Sequence, residues 1–373
     1  MNKRAGATVH LSDLKWTIAP KVLKPYRART SFIESALHWK LKRNLINLGY
    51  TMPTEIQEKA LPHVLAGNNL VGLAAAGTGK TLAYLIPLIQ RMLLDNTYTC
   101  LVIVPNPELA QQVYQQFRVL TEKMEFFSAC FVGGINADEE IKRAGLRHNF
   151  VVGTPERVTA LIKLKAIEVT RIQSVVIDEL EAMQELDTIN DVLSVTNRMK
   201  QRQQTILFTA GIKKSQQALV QELVGDAMQI SLTSGSLSNT YVKQSLIKVA
   251  EHQHKFDILA ELLQDRALKK VIVFAETRKE VYQLHKKLNK RGINVDGIHG
   301  STSPLYKTKA IALFRNGKTH VLVATDNASR GMDVDNITHV INYQLPPNAN
   351  SYMHRIGKTG RANKKGKAYT FIN

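Results

Sequence analysis

Cysteines are scarce in this sequence, and long apolar runs are absent. Only two of the 373 residues are cysteines, and both, Cys100 and Cys130, fall at the starts of strand-like segments. Small buried thiols are therefore expected rather than a disulfide or a metal site, and a reducing compartment, the cytoplasm, follows. The longest apolar stretch, residues 82–94, is interrupted by Pro87 and Arg91, which excludes a membrane span.

Acidic residues are also scarce. Lysine and arginine total 50 against 31 aspartates and glutamates, which gives a net charge of +19. This excess predicts a polyanionic partner, although a merely basic protein would have the same composition. Residues 1–30 carry seven basic side chains against one acid, without helical or strand periodicity. We predict a mobile basic N-terminal arm there; a solvated tail or part of an import signal is the alternative.

The most informative stretch is residues 69–85, which read as a buried strand, a glycine turn and the start of a helix. The glycines allow the backbone to close around phosphate oxygens, Lys80 adds a positive charge, and Thr81 offers a hydroxyl to Mg²⁺. An ordinary glycine turn is the alternative, but it leaves Lys80 and Thr81 unexplained. The predicted nucleotide phosphate site consists of Ala76, Gly77, Thr78, Gly79, Lys80 and Thr81.

Strand-like and helix-like segments alternate on both sides of a break with few apolar residues. Such alternation predicts parallel sheets with helices on both faces. We therefore expect α/β domains at residues 31–232 and 242–373, joined by a linker at 233–241. Helices are predicted at 32–49, 108–120 and 137–148, among others, and strands at 100–105, 129–133, 150–153, 173–178, 204–209, 271–274, 295–299, 321–325, 340–343 and from residue 368.

A carboxylate pair, Asp178 and Glu179, ends one of these buried strands. Such a pair can hold Mg²⁺ through water and orient an attacking water. Acidic residues after a strand are also common as helix caps. About a hundred residues after a phosphate loop, however, the pair indicates a nucleotide hydrolysis site.

The order of these motifs resembles the DEAD-box family of ATP-dependent RNA helicases, from Phe32 to the end of the chain. The resemblance implies two tandem RecA-like domains that bind ATP and Mg²⁺ in the cleft between them. It also implies that Gln57 selects adenine by its amide, that Tyr50 stacks on the base, and that Phe32 is the upstream aromatic residue. The residues that match its adenine-reading Q motif are Gly49, Tyr50, Pro53, Ile56 and Gln57, and residues 74–81 match its motif I.

In the second domain, the resemblance places Asp333 against the ribose and Arg361 against the γ-phosphate. Motif V is matched by Ser329, Arg330, Gly331 and Asp333, and motif VI by His354, Arg355, Gly357, Gly360 and Arg361. By the same resemblance, Thr81 and Asp178 hold the metal. The catalytic residues are then Glu179, Asp178, Lys80, Arg361 and Lys358.

The resemblance also implies an RNA surface that grips phosphates and 2′-hydroxyls, so that binding is largely independent of sequence. Thr154 before Pro155 is equally a good helix N-cap followed by a first-turn proline. The candidate RNA-binding residues are Pro105, Glu108, Gly133, Gly134, Thr154, Pro155 and Arg157 in domain one, and Thr277, Arg278, Thr325 and Asp326 in domain two.

The chain departs from the family pattern at several of these motifs. Leu180 and Glu181 change the last two positions of the acidic tetrad, and motif III reads Thr209, Ala210, Gly211. Because the fourth tetrad residue and motif III link ATP state to strand separation in the family, weaker coupling is expected here. Lys358 replaces an arginine that faces the γ-phosphate, and lysine lacks the planar fork of donors.

Other substitutions bear on RNA contact. Asn106 and Pro107 replace a threonine and an arginine of motif Ia, an exchange that favours helix capping over a charged phosphate contact. Pro304 and Lys307 replace a glutamine and an arginine after His299 and Gly300, and Ser303 with Pro304 again makes a helix start. A looser grip on RNA is expected. The family also continues beyond the last strand into a helix, so the chain is expected either to be trimmed or to lack that element.

The sequence thus predicts a monomeric RNA-dependent ATPase that locally unwinds RNA duplexes, with RNA bound mainly through its sugar-phosphate backbone and no membrane association. The alternative is an ATP-binding RNA clamp or scaffold that barely hydrolyses ATP. The features that discriminate between the enzyme and the clamp are the altered catalytic and coupling positions, Lys358, Gly211 and Glu181. A DNA helicase is disfavoured by the adenine-reading motif.

Overall fold

The computed structural model describes residues 15–18, 26–74, 77–133, 137–199, 204–232, 242–249, 252–265, 267–329, 332, 334, 336–346, 349–360 and 365–372. The chain forms two compact units, residues 24–235 and residues 236–373 together with 1–23, which we call the first and the second unit. The predicted linker at 233–241 lies outside the described residues. Within the described ranges, no helix has the length and apolar character needed to cross a bilayer.

In the first unit, short runs of β-branched and aliphatic residues form a parallel sheet. Its order across the sheet is β4-β5-β3-β6-β7-β2-β8, and each neighbouring pair is parallel. Parallel pairing requires crossover connections, which the intervening helices supply. The strands are β2 (Leu70–Leu73), β3 (Cys100–Ile103), β4 (Ser128–Phe131), β5 (Phe150–Gly153), β6 (Ser174–Asp178), β7 (Gln204–Thr209) and β8 (Met228–Ser231).

Helices cover both faces of this sheet. Alternate residues of β3 show the arrangement, because Val102 packs in one apolar core and Leu101 and Ile103 pack in the other. The predicted fold class is confirmed for this unit. Its helices are α1 (Trp39–Asn47), α2 (Glu55–Leu65), α3 (Lys80–Leu94), α4 (Pro107–Leu120), α5 (Ala137–Ala144), α6 (Pro155–Lys163), α7 (Leu180–Glu185), α8 (Ile189–Arg198) and α9 (Gln217–Val224).

The second unit repeats the α/β pattern around a sheet of order β1-β9-β14-β13-β10-β12-β11. Two apolar cores again lie against the strands, one containing Val273 and the other Phe274. The strands are β1 (Lys15–Ile18), β9 (Val242–Lys248), β10 (Val271–Phe274), β11 (Val295–Ile298), β12 (Val321–Ala324), β13 (His339–Asn342) and β14 (Gly366–Ile372). The helices are α10 (His252–Gln264), α11 (Arg278–Lys290), α12 (Pro304–Arg315), α13 (Asp326–Ser329) and α14 (Ala349–Ile356).

Strand β1 corrects the prediction that residues 1–30 lack regular structure. It pairs antiparallel with β9, with Lys15 opposite Ile247 and Ile18 opposite Gln244. All other strand pairs of this sheet are parallel. A four-residue strand is too short to show periodicity in sequence, and its partner lies more than 200 residues away. The backbone groups along the edge of β9 supply the pairing that the local sequence does not reveal.

Two predicted helices are shorter in the structure. The helix expected from Phe32 begins at Trp39, because Ser31 Oγ donates to Glu34 Oε2 at 2.7 Å and closes a local turn instead. His38 then caps α1, accepting from the Lys40 N–H at 3.2 Å. Helix α5 ends at Ala144 rather than His148, since Gly145 follows.

Candidate functional site

The loop between β2 and α3 has the conformation that its glycines were expected to allow. Gly77 and Gly79 adopt left-handed φ angles of 81° and 93°, and α3 begins at Lys80. A Cβ atom at Gly79 would lie 2.5 Å from Gln57 Nε2, so only glycine fits there. Ala76 lies outside the described residues. The free N–H groups at the start of α3 make this loop suited to bind an anion.

Two side chains at the start of α2 hold this loop. Thr54 Oγ1 donates to the Thr78 carbonyl at 2.8 Å, and Gln57 Nε2 donates to the Gly79 carbonyl at 3.1 Å. Gln57 Oε1 also accepts from the Thr54 N–H at 2.9 Å. An amide side chain has two N–H groups and two lone pairs, so these bonds leave one of each for a base. The role of Thr54 was missed, although T-x-x-Q is a capping-box signature.

The two predicted aromatic residues of the base site differ in exposure. Tyr50 is 37% exposed and is available to stack, whereas Phe32 is 2% exposed and packs in the core. The Phe32 N–H donates to the Thr51 carbonyl at 3.0 Å. Phe32 thus supports the segment that carries Tyr50, and direct stacking by Phe32 does not fit its burial.

Lys80 and Asp178 form the electrostatic centre of the first unit. Both are buried, at 8% and 2% exposure. Burial alone lowers the pKa of Lys80, but the carboxylates of Asp178, Glu181 and Glu179 outweigh it and raise that pKa. Burial raises the pKa of Asp178 to about 6, and Lys80 opposes this shift. Lys80 therefore stays charged, and the surplus of carboxylates around it favours a cation beside Asp178.

One oxygen of Asp178 is free to bind a metal or its water. Tyr84 donates its hydroxyl proton to Asp178 Oδ2 at 3.2 Å, while Oδ1 is buried without a hydrogen-bond partner among the described residues. Thr81, at the start of α3, supplies a hydroxyl. Among the described residues, no three acidic, histidine or cysteine side chains form a metal cluster. The donors fit Mg²⁺, which usually keeps waters and takes phosphate oxygens as further ligands.

Glu179 follows at a strained position. Its φ and ψ are 60° and 53°, in the left-handed region, and such a conformation costs a non-glycine residue about 1–3 kcal/mol. The backbone N–H of Glu179 donates to the Phe208 carbonyl of β7 at 3.0 Å, which fixes this turn against the neighbouring strand. Strain of this kind clusters at functional sites and needs support from the surrounding structure.

Glu181 joins the altered tetrad to the altered motif III. Thr209 Oγ1 donates to Glu181 Oε2 at 2.6 Å, and the Ala210 N–H donates to Glu181 Oε1 at 3.1 Å. Thr209 is 1% exposed, so the contact is shielded from water on one side. The two altered segments are thus in direct contact, because the glutamate side chain binds both a hydroxyl and the backbone.

The candidate RNA residues of the first unit lie at the same sheet edge as the nucleotide residues. Pro105, Gly133 and Thr154 follow β3, β4 and β5, which are neighbours, whereas the phosphate loop, Asp178 and Thr209 are at the ends of β2, β6 and β7. The carboxyl edge of one sheet is thus divided between two sets of residues. Gly134 lies outside the described residues, and Glu108 and Pro155 lie in the first turns of α4 and α6.

One candidate RNA residue of the first unit, Arg157, already has a partner within the protein. Arg157 Nε donates to Glu140 Oε2 at 2.6 Å, and Glu140 is fully buried. Asn106 caps α4 by accepting from the Leu109 N–H at 2.9 Å, as expected from its sequence. Thr154 is the N-cap residue of α6 without a side-chain cap bond. Glu140, which no sequence motif indicated, sets the position of Arg157.

In the second unit, the candidates follow the neighbouring strands β10 and β12. Thr277 caps α11 by accepting from the Glu280 N–H at 3.2 Å, and Arg278 Nη1 donates to Ser301 Oγ at 2.9 Å. Asp326, after Thr325, accepts two hydrogen bonds from Arg355 at 2.6 and 2.7 Å. The Asp326 carboxylate is thus paired with a buried arginine and not presented to a ligand.

The remaining predicted nucleotide residues of the second unit are described only in part. Lys358 is 4% exposed, and its N–H donates to the Arg355 carbonyl at 3.1 Å. Asp333 and Arg361 lie outside the described residues.

Comparison with known proteins matches both units to families. A profile described as "DEAD/DEAH box helicase" matches residues 54–219, and one described as "Helicase conserved C-terminal domain" matches residues 254–363. The chain is 33% identical over 344 residues to the ATP-dependent RNA helicase CshA of Listeria monocytogenes, covering 92% of the chain and 66% of that protein. It is 32% identical to the DEAD-box ATP-dependent RNA helicase RhpA of Helicobacter pylori, covering 92% of the chain and 70% of that protein.

A solved structure has the same fold. Saccharomyces cerevisiae Dbp5 bound to RNA and ADP BeF3 superposes with a TM-score of 0.81 at 28% identity, over 92% of this chain and 89% of that one. The chain spans about two thirds of the length of the two bacterial relatives.

Proposed function

Because this chain belongs to the DEAD-box family of ATP-dependent RNA helicases, we propose that it is an RNA-stimulated ATPase that locally unwinds or remodels RNA duplexes. Its two units are tandem RecA-like domains, as the fold comparison shows. The observation that supports the proposal best is the buried Lys80 and Asp178 centre behind a left-handed glycine loop. This centre joins an anion site to a carboxylate with a free oxygen.

The first unit is proposed to bind ATP through its base and its phosphates. Tyr50 stacks on the adenine, and Gln57 reads its edge with the N–H and lone pair left over from its bonds to Gly79 and Thr54. Gly77, Thr78 and Gly79 surround the phosphates, and Lys80 neutralises them. Asp333, Lys358 and Arg361 of the second unit are proposed to contact the ribose and the γ-phosphate.

Hydrolysis is assigned to the turn after β6. Thr81 and Asp178 would hold Mg²⁺, which neutralises phosphate charge when bound. Glu179 orients the attacking water, and its left-handed conformation, fixed by the bond to Phe208, holds its backbone in place. Asp178 must be ionised for this role, and Lys80 favours the ionised form.

RNA is proposed to bind along the carboxyl edges of the two sheets, mainly through its sugar-phosphate backbone. Gly133, Thr154 and Pro155 offer backbone and hydroxyl groups in the first unit, and Thr277 and Arg278 do so in the second. The net charge of +19 supports a polyanionic ligand. Since these groups do not read base edges, binding is expected to be independent of sequence.

The proposed function is tested by measuring phosphate release from ATP over a titration with single-stranded RNA. We expect the rate to rise with RNA and to saturate. Glu179→Gln should lower the RNA-stimulated rate by about 10²-fold or more, while ATP binding stays nearly intact because Lys80 and Asp178 remain. A wild-type rate in that variant would remove Glu179 from the mechanism, and no response to RNA would contradict the proposal.

A second candidate is a clamp that binds ATP and RNA but barely hydrolyses ATP, and Lys358 is the observation that favours it. Lysine cannot present a planar fork of donors to the transition state. No turnover in wild type, together with a large rate in Lys358→Arg, would support the clamp. A modest gain over an active wild type would support the enzyme.

We propose that the chain acts as a monomer in the cytoplasm. Support for a reducing compartment comes from Cys100 and Cys130, which are both buried free thiols. They lie on β3 and β4, which are separated by β5 in the sheet. Burial raises the pKa of both thiols, so they are unreactive core residues.

A further inference from the structure

A large aromatic side chain is exposed on α1, away from the motifs described above. Trp39 is 60% exposed, although tryptophan buries more apolar surface than most side chains when it is packed. Neither the nucleotide site nor the candidate RNA residues include it. An exposed indole on a rigid element is a feature of surfaces that bind a partner.

Cationic and aromatic side chains surround this indole. Lys40 Nζ lies 5.8 Å from the Trp39 ring centroid, and Arg43 Cζ lies 5.4 Å from it. The His38 ring lies 5.8 Å away at an interplanar angle of 28°. We call these four residues, His38, Trp39, Lys40 and Arg43, the Trp39 surface.

The charge of this segment has one sign. No acidic residue occurs between Glu34 and Glu55, whereas Lys40, Lys42 and Arg43 fall in that interval. Lys42 Nζ donates to the Ile33 carbonyl at 2.9 Å, and Lys40 and Arg43 have the indole as their neighbour. A positive surface with an exposed aromatic ring complements a single-stranded nucleic acid, which offers phosphates and bases together.

The surface is held on a rigid support. The His38 N–H donates to Gln90 Oε1 of α3 at 2.7 Å. Asn44 Nδ2, on the buried side of α1, donates to the Leu120 and Glu122 carbonyls at 2.9 Å each. Gln90 is ten residues beyond Lys80 on α3, about 15 Å along a helix. The Trp39 surface is therefore separate from the carboxyl edge that carries the candidate RNA motifs.

We propose that the Trp39 surface is an accessory binding site for single-stranded RNA. One base stacks on the indole of Trp39, and Lys40 and Arg43 bind the phosphates on either side of that base. The site adds affinity for RNA without contacting the reacting groups. It rests on the proposed function only in taking RNA as the ligand, since binding here requires neither ATP nor hydrolysis.

Trp39 itself provides the readout, because the chain has only two tryptophans, Trp16 and Trp39. In a Trp16→Phe variant, the tryptophan emission comes from Trp39 alone. We expect titration with a 20-nucleotide oligouridylate, without ATP, to quench this emission in a saturable way. The logarithm of the binding constant falls with the logarithm of the salt concentration, with a slope near −0.7 for each phosphate contact to a single strand. Arg43→Ala should therefore make this slope shallower by about that amount.

The second measurement is RNA affinity by fluorescence anisotropy of labelled oligouridylate. Trp39→Ala should weaken binding at least about fivefold, the contribution of one stacked base. Phe127→Ala is the matched control, since Phe127 is an exposed aromatic residue of the same unit, at 68% exposure, with Glu125 close by in sequence. That control should bind like wild type, and circular dichroism should show that both variants are folded.

If the anisotropy shows that RNA is bound but the Trp39 emission does not change, the accessory site is overturned and the helicase proposal stays intact. Equal RNA affinity of Trp39→Ala and wild type would also overturn it and would assign the exposed indole to a protein partner. Saturable quenching in a chain without RNA-stimulated ATPase activity would support the site while contradicting the proposed function. The two proposals can thus fail independently.

Discussion

Tyr84 places a single hydroxyl group against Asp178, the proposed metal-binding carboxylate. It is fully buried and donates to Asp178 Oδ2, which leaves Oδ1 free. This bond favours the ionised form of Asp178, opposing the burial that raises the pKa of Asp178. Tyr84 lies one helical turn after Lys80 on α3, so both side chains reach the same strand end.

We predict that Tyr84→Phe raises the Mg²⁺ concentration needed for half-maximal ATPase activity by about three- to tenfold, the value of one hydrogen bond. Without the hydroxyl, Asp178 loses an orienting contact and part of the support for its charge. The measurement is ATPase rate against Mg²⁺ at fixed ATP. Tyr98→Phe is the control, because Tyr98 is equally buried but bonds Ser174 instead. Superimposable Mg²⁺ curves for Tyr84→Phe and wild type would refute this role.

Gln57 has two roles that separate variants can distinguish. Gln57→Ala should lose the preference for ATP over GTP and also bind ATP more weakly, because its bond to the Gly79 carbonyl is lost as well. Thr54→Val should weaken the binding of both nucleotides by a similar factor, about two- to tenfold, because it removes the bond to the Thr78 carbonyl and the hydroxyl of the α2 capping box but leaves the Gln57 amide in place. Competition binding with both nucleotides measures this. A retained ATP preference in Gln57→Ala would assign base selection to other groups.

For single residues, the sequence indicated those whose chemical type suits phosphate or metal binding. It missed residues whose roles depend on a contact with a distant part of the chain. The sequence indicated Lys80, Thr81, Asp178 and Glu179 as candidates because their types and order are typical of phosphate and metal binding. Tyr84 and Glu140 were not indicated, since a tyrosine in a helix or a glutamate on a surface-like segment shows no sign of its partner. Their roles exist only once distant strands are side by side.

At the scale of elements, we predict that the contact between α7 and the end of β7 links ATP state to strand separation. Glu181 binds both Thr209 and the Ala210 N–H. Aspartate is one methylene shorter and cannot make both bonds from the same backbone position. Gly211 offers no side chain to compensate for a shorter acid.

Glu181→Asp alone should therefore reduce the number of duplexes unwound per ATP hydrolysed, by several-fold, with a smaller change in ATPase rate. Adding Gly211→Thr to that variant should restore part of the loss, because a hydroxyl returns next to the shortened acid. A fluorescent duplex-separation assay run in parallel with phosphate release provides the ratio. If Glu181→Asp keeps the wild-type ratio, the contact does not transmit ATP state.

Strand β13 contains a buried histidine that should make the second unit sensitive to acid. His339 is 4% exposed, and burial, helped by Lys367, lowers its pKa to about 4. The unfolded chain takes up a proton near pH 6.5, whereas the folded chain does so only near pH 4. Since the unfolded state then binds more protons, the free energy of unfolding must fall as the pH drops from about 6.5 towards 4.

We predict that His339→Gln loses less stability than wild type between pH 7 and pH 5 in urea denaturation. The difference between the two chains isolates His339 from the other titrating groups. His320→Gln is the control, since His320 is exposed in the same unit. Equal pH dependence of His339→Gln and wild type would show that the pKa of His339 is the same in the folded and unfolded chains.

The elements themselves were predicted well where burial fixes them. Strands β5, β7 and β10 have the predicted bounds, because their apolar runs are too short for a helix and are rich in β-branched and aromatic residues. The start of α1 was wrong, since Phe32 and Leu37 are buried without being helical. Apolar spacing alone cannot distinguish a buried turn from a buried helix.

At the scale of the whole molecule, β1 connects the start of the described chain to the second unit, while residues between β1 and β9 build the first. We predict that removing residues 1–18 destabilises the second unit, with a fall of about 2–4 °C in Tm for each kcal/mol lost. Removing only residues 1–12 leaves β1 in place and tests the effect of the basic side chains alone. Identical melting of both truncated chains would mean that β1 adds no stability.

This long-range pairing was beyond the reach of sequence reasoning, which predicted each α/β domain as a continuous segment. The order of motifs predicted two domains and candidate functional edges, since it reflects local patterns. The outer strand of the second sheet, β1, comes from the opposite end of the chain. Its pairing with β9 joins residues that carry no local signal of each other.

The same strand has a consequence for biosynthesis. On a ribosome that adds about 5–20 residues per second, β9 follows β1 by roughly 10–50 s. During that interval the first unit can fold, while β1 waits without its partner and is open to chaperones or to another nascent chain. The second sheet can therefore be completed only after the first unit has been synthesised, because β9 and the strands that follow it lie beyond that unit in the chain.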